Sequence, residues 1–146
     1  MNDSGLPSAY TIEVERTANN ARIIEIVFSF FSIFGTGWLY TGNYTAGIIG
    51  MVVSSLIVFP IEMAIISGTA GICACLFLPV NIGIGILSGN NARAWALTNR
   101  RTQGSVLHLV IGLVAIFIVN IIITILIFTV LASLIGGISI LESLNY

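Results

Sequence analysis

Residues 46–66 read AGIIGMVVSSLIVFPIEMAII, an unbroken apolar run with one charge, Glu62. A helix rises about 1.5 Å per residue, so roughly 20 such residues cross the ~30 Å hydrocarbon core of a bilayer. The rest of the chain has the same character. Hydrophobic residues make up 57% of it and charged residues 8%, and its mean hydropathy is +1.06. A soluble domain carries roughly 25% charged residues, because its surface faces water. The composition therefore predicts an all-α integral membrane protein, a bundle of about four transmembrane helices joined by short tight turns. Its solvent is the lipid bilayer.

Working outward from this run, other apolar stretches follow at about 23–40, 72–88 and 105–136, the last staying apolar to about Ile140. Residues 1–22 read as a polar N-terminal tail, and 23–146 as the membrane domain. The tail lacks the short basic start and the cleavage site of a signal peptide, so the first apolar run is expected to remain as an anchor. Glu25 sits near the start of that run, within reach of the headgroups. Ser29, Ser32 and Gly35 recur every three residues, and Gly47, Gly50 and Ser54 form a second small face; both invite close helix approach. Thr41–Thr45 and Ser67–Gly71 read as tight turns. Trp38, Tyr40 and Tyr44 suit a membrane–water interface. Pro79, Asn81, Gly83 and Gly85 predict a weak, kinked third helix, and Gly85 with Gly89 has small-xxx-small spacing. Residues 89–104 read as a polar loop, whose Arg93, Arg100 and Arg101 with Trp95 offer a contact surface.

The chain has no lysine, and its cations are Arg16, Arg22, Arg93, Arg100 and Arg101, against a net charge of −1. That is no nucleic-acid footprint, nor the run of about 4–8 cations that makes a polybasic lipid anchor. Short cytoplasmic loops favour arginine. Three full crossings between the N-terminal flank and the 89–104 loop would put Arg16 and Arg22 on the opposite side from the other three. The loop's three arginines against two then favour the loop inside and the N-terminus outside, whereas a re-entrant 46–88 segment would put all five inside, and the sequence leaves both open. Cys73 and Cys75 lie in an apolar run as small packing side chains, with S-acylation the alternative at a cytoplasmic interface. Two thiols fall short of the about four ligands zinc takes. The sequons at Asn2 and Asn43 lie at the extreme terminus and against the membrane, where chance is the simpler account.

Gly35, Gly37, Tyr40 and Gly42 make the pattern G-x-G-x-x-Y-x-G, with Gly47 following. This resembles the two-transmembrane-helix domain family, in which a first helix ends in a Gly-rich, Tyr-containing turn and a second follows at once. The resemblance covers about residues 23–90. It places Asn81 where the family has an aspartate and Ser88-Gly89-Asn90 at the family's exit turn. The family's His-Arg pair is replaced by Gly37 and Trp38. What the resemblance implies is a membrane fold.

The polar residues inside apolar runs are the candidate site. An ionisable group at the centre of a span costs about 2.5–3.5 kcal/mol on insertion scales and commonly marks a proton or substrate site. Glu62 is that group, with a snorkelling or locally paired carboxylate as its structural alternative. Asn81 and Asn120 fall near the middle of their spans. Mutual pairing, or capping of a carbonyl freed by Pro79, competes with lining a polar cavity. His108 beside Arg100 and Arg101 reads as interfacial, or as a group titrating near neutral pH. No nucleophile elbow, H-E-x-x-H or P-loop is present, so no catalytic, metal or cofactor residue is assigned and no enzyme is expected. Three functions stay open. The first is an accessory or assembly component packing against partner helices, as homo-oligomer or hetero-complex. The second is a small oligomeric transporter or channel using Glu62, Asn81 and Asn120. The third is a sensor using the 89–104 loop.

Overall fold

The computed structural model describes residues 9–69 and 71–144. Every described element is a helix: α1 (Ala9–Ser29), α2 (Thr36–Tyr40), α3 (Tyr44–Val53), a π-helical turn (Ser54–Val58), α4 (Phe59–Gly68), α5 (Ala74–Thr98) and α6 (Val106–Leu144). Three helical stretches are long and apolar enough to cross a membrane: Tyr44–Gly68, Cys75–Thr98 and Val106–Val130. The expected first span, 23–40, is not a fourth.

The helix that begins at Ala9, inside the expected polar tail, stops at Ser29. Ser32 then takes φ 59, with Ser32 N–H donating to Ser29 O and Ile33 N–H to Phe28 O. This is a Schellman ending, normally given to glycine at the left-handed position. The chain reverses through Gly35, φ 95, and α2 climbs back along α1. Gly37 packs against the Ala21 carbonyl, and the Asn20 amide donates to the Tyr40 hydroxyl at 3.5 Å. Residues 9–40 thus enter and leave at the same end. Ser29, Ser32 and Gly35 lie across this reversal rather than along one helix face.

At that end Gly42 (φ 83) closes a second Schellman ending. The Asn43 side chain then caps α3, accepting from Ala46 N–H at 3.2 Å. The α3–α4 stretch is one continuous helix. Pro60 has no N–H and its ring would crowd the carbonyl one turn back. The π turn before it, in which Phe59 N–H donates to Ser54 O, opens the room. After the turn around Gly71 (φ 86), α5 runs back as an α-helix through Pro79.

The expected 89–104 loop is mostly helix. Gly89, Ala92 and Ala96 are buried at helical spacing on α5, and the polar residues between them face outward. The connection is only residues 99–105, opened by Arg100 at φ 49. It packs on the N-terminal hairpin: Ser105 N–H donates to Tyr40 O at 2.8 Å, and Thr17 Oγ1 to Thr102 O at 2.9 Å.

Two seams hold the fold. Along the antiparallel α1–α5 seam, Ala18 and Ala21 meet the Gly85, Gly89, Ala92 and Ala96 stripe, and the four alanines have no exposed surface. A side chain at Gly85 would collide with Ser29, and one at Gly89 would press on Arg22. The second seam joins Leu39, Met51 and Ile116, with Ile33 beside them. Here Gly35 lies on Gly47 and Gly50. The outer faces of the three long helices carry exposed Ile, Leu, Val and Phe.

Candidate functional site

Two carboxylates are buried in the α1–α5 region. Glu25 is wholly enclosed, not interfacial as its place in the sequence suggests. Its Oε1 accepts from Gly35 N–H at 2.8 Å and from Ser88 Oγ at 2.7 Å. Its Oε2 accepts from Gly37 N–H at 2.7 Å and from Thr36 Oγ1 at 3.1 Å. The Trp38 indole extends the cluster by donating to Ser88 Oγ at 3.1 Å. The glycines of the G-x-G pattern are therefore more than turn formers. Without side chains they let the returning backbone lie against α1 and aim two N–H groups at one carboxylate. Four donors, two of them backbone, make Glu25 a staple between α1, the reversal and α5.

Glu62 is held differently. Ser32 Oγ donates to its Oε2, and Asn81 Nδ2 donates to its Oε1 at 2.7 Å. The same amide group donates to Ser32 Oγ at 2.8 Å. These three side chains come from α4, the break after α1, and α5. Glu62 is 8% exposed and Asn81 3%. Among the described residues the groups that hold this carboxylate are side chains, whereas Glu25 also accepts from two backbone N–H groups.

The two clusters share one seam. Asn81 and Ser88 are seven residues apart on α5, about 10 Å along the axis. Between them lies Ser29, whose hydroxyl donates to Ile26 O at 2.6 Å, over the bare surface of Gly85. Further along, Arg93 Nε donates to Asn19 Oδ1 at 2.8 Å. The Arg93–Asn19 pair, the Glu25 cluster and the Glu62 cluster thus follow one another along the seam as separate hydrogen-bonded groups. Among the described residues no carboxylate pairs with an arginine.

The remaining sequence candidates lie elsewhere. Asn120 is on α6 and makes no hydrogen bond with Glu62 or Asn81. Its Oδ1 is buried and has no partner. Asn81 neither pairs with Asn120 nor caps a Pro79-freed carbonyl. Gly47 packs on Leu39. Arg93 is helical, Arg100 accepts from the Tyr10 hydroxyl through its carbonyl at 3.3 Å, and Arg101 stacks 5.2 Å from the Trp95 ring centre. His108 contacts Ser105 and lies 4.9 Å from Tyr44, ring centre to ring centre. Ser32, Ser88 and Glu25 are the site residues that sequence reasoning passed over. The two glycines ten and twelve residues after Glu25 were the available signal. Compared with protein-family models, curated proteins and solved structures, the chain matches none.

Proposed function

We propose that this chain is a small multi-pass membrane protein that moves protons along the α1–α5 seam, with Glu62 as the exchanging carboxyl. The observation that carries the reading is the Glu62–Ser32–Asn81 cluster: an ionisable side chain on a helix long and apolar enough to cross a membrane, buried, held by side chains and without a cation partner among the described residues. Intramembrane carboxylates of this kind mark proton and ion paths, and broken helices at membrane depth build such sites. Strain points to the same place. Ser32 occupies a left-handed position at roughly 1–2 kcal/mol above an ordinary conformation. Such residues persist where surrounding structure or function holds them. The π turn lies just before Glu62, and such bulges are frequent at functional sites. In this reading Glu62 takes up one proton on a carboxylate oxygen and releases it to the other side of the membrane, with no change of oxidation state. Glu25, on α1 and held by the Gly-rich turn, positions the seam.

The test is proton entry into liposomes holding a pH-sensitive dye, driven by a potassium diffusion potential. The protein is expected to acidify the lumen, Glu62→Asp to retain the activity, and Glu62→Gln to lose at least tenfold while remaining folded. Equal rates for the protein and Glu62→Gln, or no flux above empty liposomes, would count against it.

One observation favours a second reading, an accessory subunit that packs on partner helices. Almost none of the Val106–Val130 span is buried inside the protein, and Asn120 Oδ1 is enclosed without a partner. A stoichiometric foreign chain retained through mild detergent purification would favour this reading.

A further inference from the structure

We propose that the groove between α3 and α6 binds one anionic phospholipid, with an acyl chain along the groove and the phosphate against Arg101, Tyr44 and His108. The groove has a volume of about 510 Å³ and is lined by apolar side chains such as Ile48, Met51, Val52 and Ile111. It extends from Tyr44 to Leu56 along α3 and the π turn, and from His108 to Val119 along α6. The twelve and eleven residue steps between these ends give about 16–18 Å of helix. One leaflet of the ~30 Å hydrocarbon core is about 15 Å thick, so the length fits one chain of one leaflet.

The two ends of the groove differ. The far end, by Leu56 and Val119, is apolar apart from Ser55, while the end at the helix starts carries Tyr44 and His108. There the Tyr44 hydroxyl is 3.4 Å from His108 Nδ1, and Ser105 Oγ contacts the same ring. A methyl group placed on Gly42 would lie 4.0 Å from both Arg101 Nη1 and the Tyr44 hydroxyl. Those two groups are therefore within about 8 Å of each other, a gap that one phosphate can bridge. Arg101 is exposed, rests on Trp95 and has no carboxylate partner among the described residues. A guanidinium beside a hydroxyl and an imidazole complements a phosphate. Basic pockets between membrane helices hold anionic headgroups in this way. A net negative lipid is preferred because a choline group would bring a second cation beside Arg101.

The experiment is native mass spectrometry of the detergent-purified full chain, incubated with dioleoyl phosphatidylglycerol or dioleoyl phosphatidylcholine, with melting temperature measured in parallel. One phosphatidylglycerol per chain is expected, retained at least tenfold better than phosphatidylcholine. Arg101→Gln and, independently, Tyr44→Phe should reduce that preference. Ala115→Phe, which fills the groove wall, should weaken retention of both lipids without lowering the lipid-free melting temperature. Equal retention of the two lipids, or unchanged selectivity in both headgroup variants, would overturn the proposal. So would a melting shift from inorganic phosphate as large as that from phosphatidylglycerol, which would indicate a free-anion site.

Discussion

Ser32 shows most plainly how a single residue is used here. At the left-handed position of the α1 ending, glycine would relieve about 1–2 kcal/mol of strain. Serine keeps the hydroxyl that reaches Glu62. Ser32→Gly is therefore expected to leave the melting temperature within a few degrees of the parent and to cut proton flux. Glu25 behaves in the opposite way. Glu25→Gln replaces one accepting oxygen with an NH2 group that faces donors. Leaving buried donors unmatched costs about 1–3 kcal/mol each, so a loss of a few kcal/mol of stability is expected. Thermal unfolding in detergent reads it, and an unchanged midpoint would contradict the staple role. The sequence marks Glu62 because a carboxylate inside an apolar run stands out by composition. It hides Glu25, because three of that side chain's four partners sit ten to twelve residues onward and meet it only after the chain reverses, and the fourth, Ser88, comes from α5. No helical or strand period links those positions.

At the scale of elements, the α1–α5 seam sets the site, and its tolerance is position-specific. Gly85→Ala would drive a methyl group into Ser29, and overpacking of this kind typically costs about 1–3 kcal/mol. Gly83, two residues earlier, faces open space. Gly83→Ala is expected to stabilise by about 0.5–1 kcal/mol through helix propensity. Opposite shifts of the unfolding midpoint for the two variants would locate the contact, whereas equal shifts would contradict the packing. The run at 46–66 was legible because lipid demands a plain apolar stretch. The 89–104 segment was not, because Asn90, Asn91 and Arg93 resemble a loop in composition. The helical signal there is the Gly89, Ala92 and Ala96 stripe, which only the packing of α1 brings out.

At the scale of the molecule, the N-terminal hairpin removes the arginine conflict. Residues 9–40 go in and come out at one end, so the helices long and apolar enough to cross a membrane number three rather than four among the described residues. The α1 helix carrying Arg16 and Arg22, the C-terminal part of α5 carrying Arg93, and the connection carrying Arg100 and Arg101 all gather at that end. By the excess of arginine on cytoplasmic loops, this end is expected to face the cytoplasm. The opposite turn, with Gly71 and Cys73, is uncharged. In intact cells, a membrane-impermeant maleimide is expected to label the natural Cys73 or Cys75 from outside.

The N-terminal hairpin also sets Ser32 against Glu62, so its sidedness is the most direct test. Glu13→Cys and Gln103→Cys would be made separately in a background lacking Cys73 and Cys75, and each labelled with impermeant maleimide before and after permeabilisation. The hairpin predicts that both become labelled only after permeabilisation. Labelling of one from outside and the other only after permeabilisation would mean that residues 23–40 cross the membrane, and would contradict the fold.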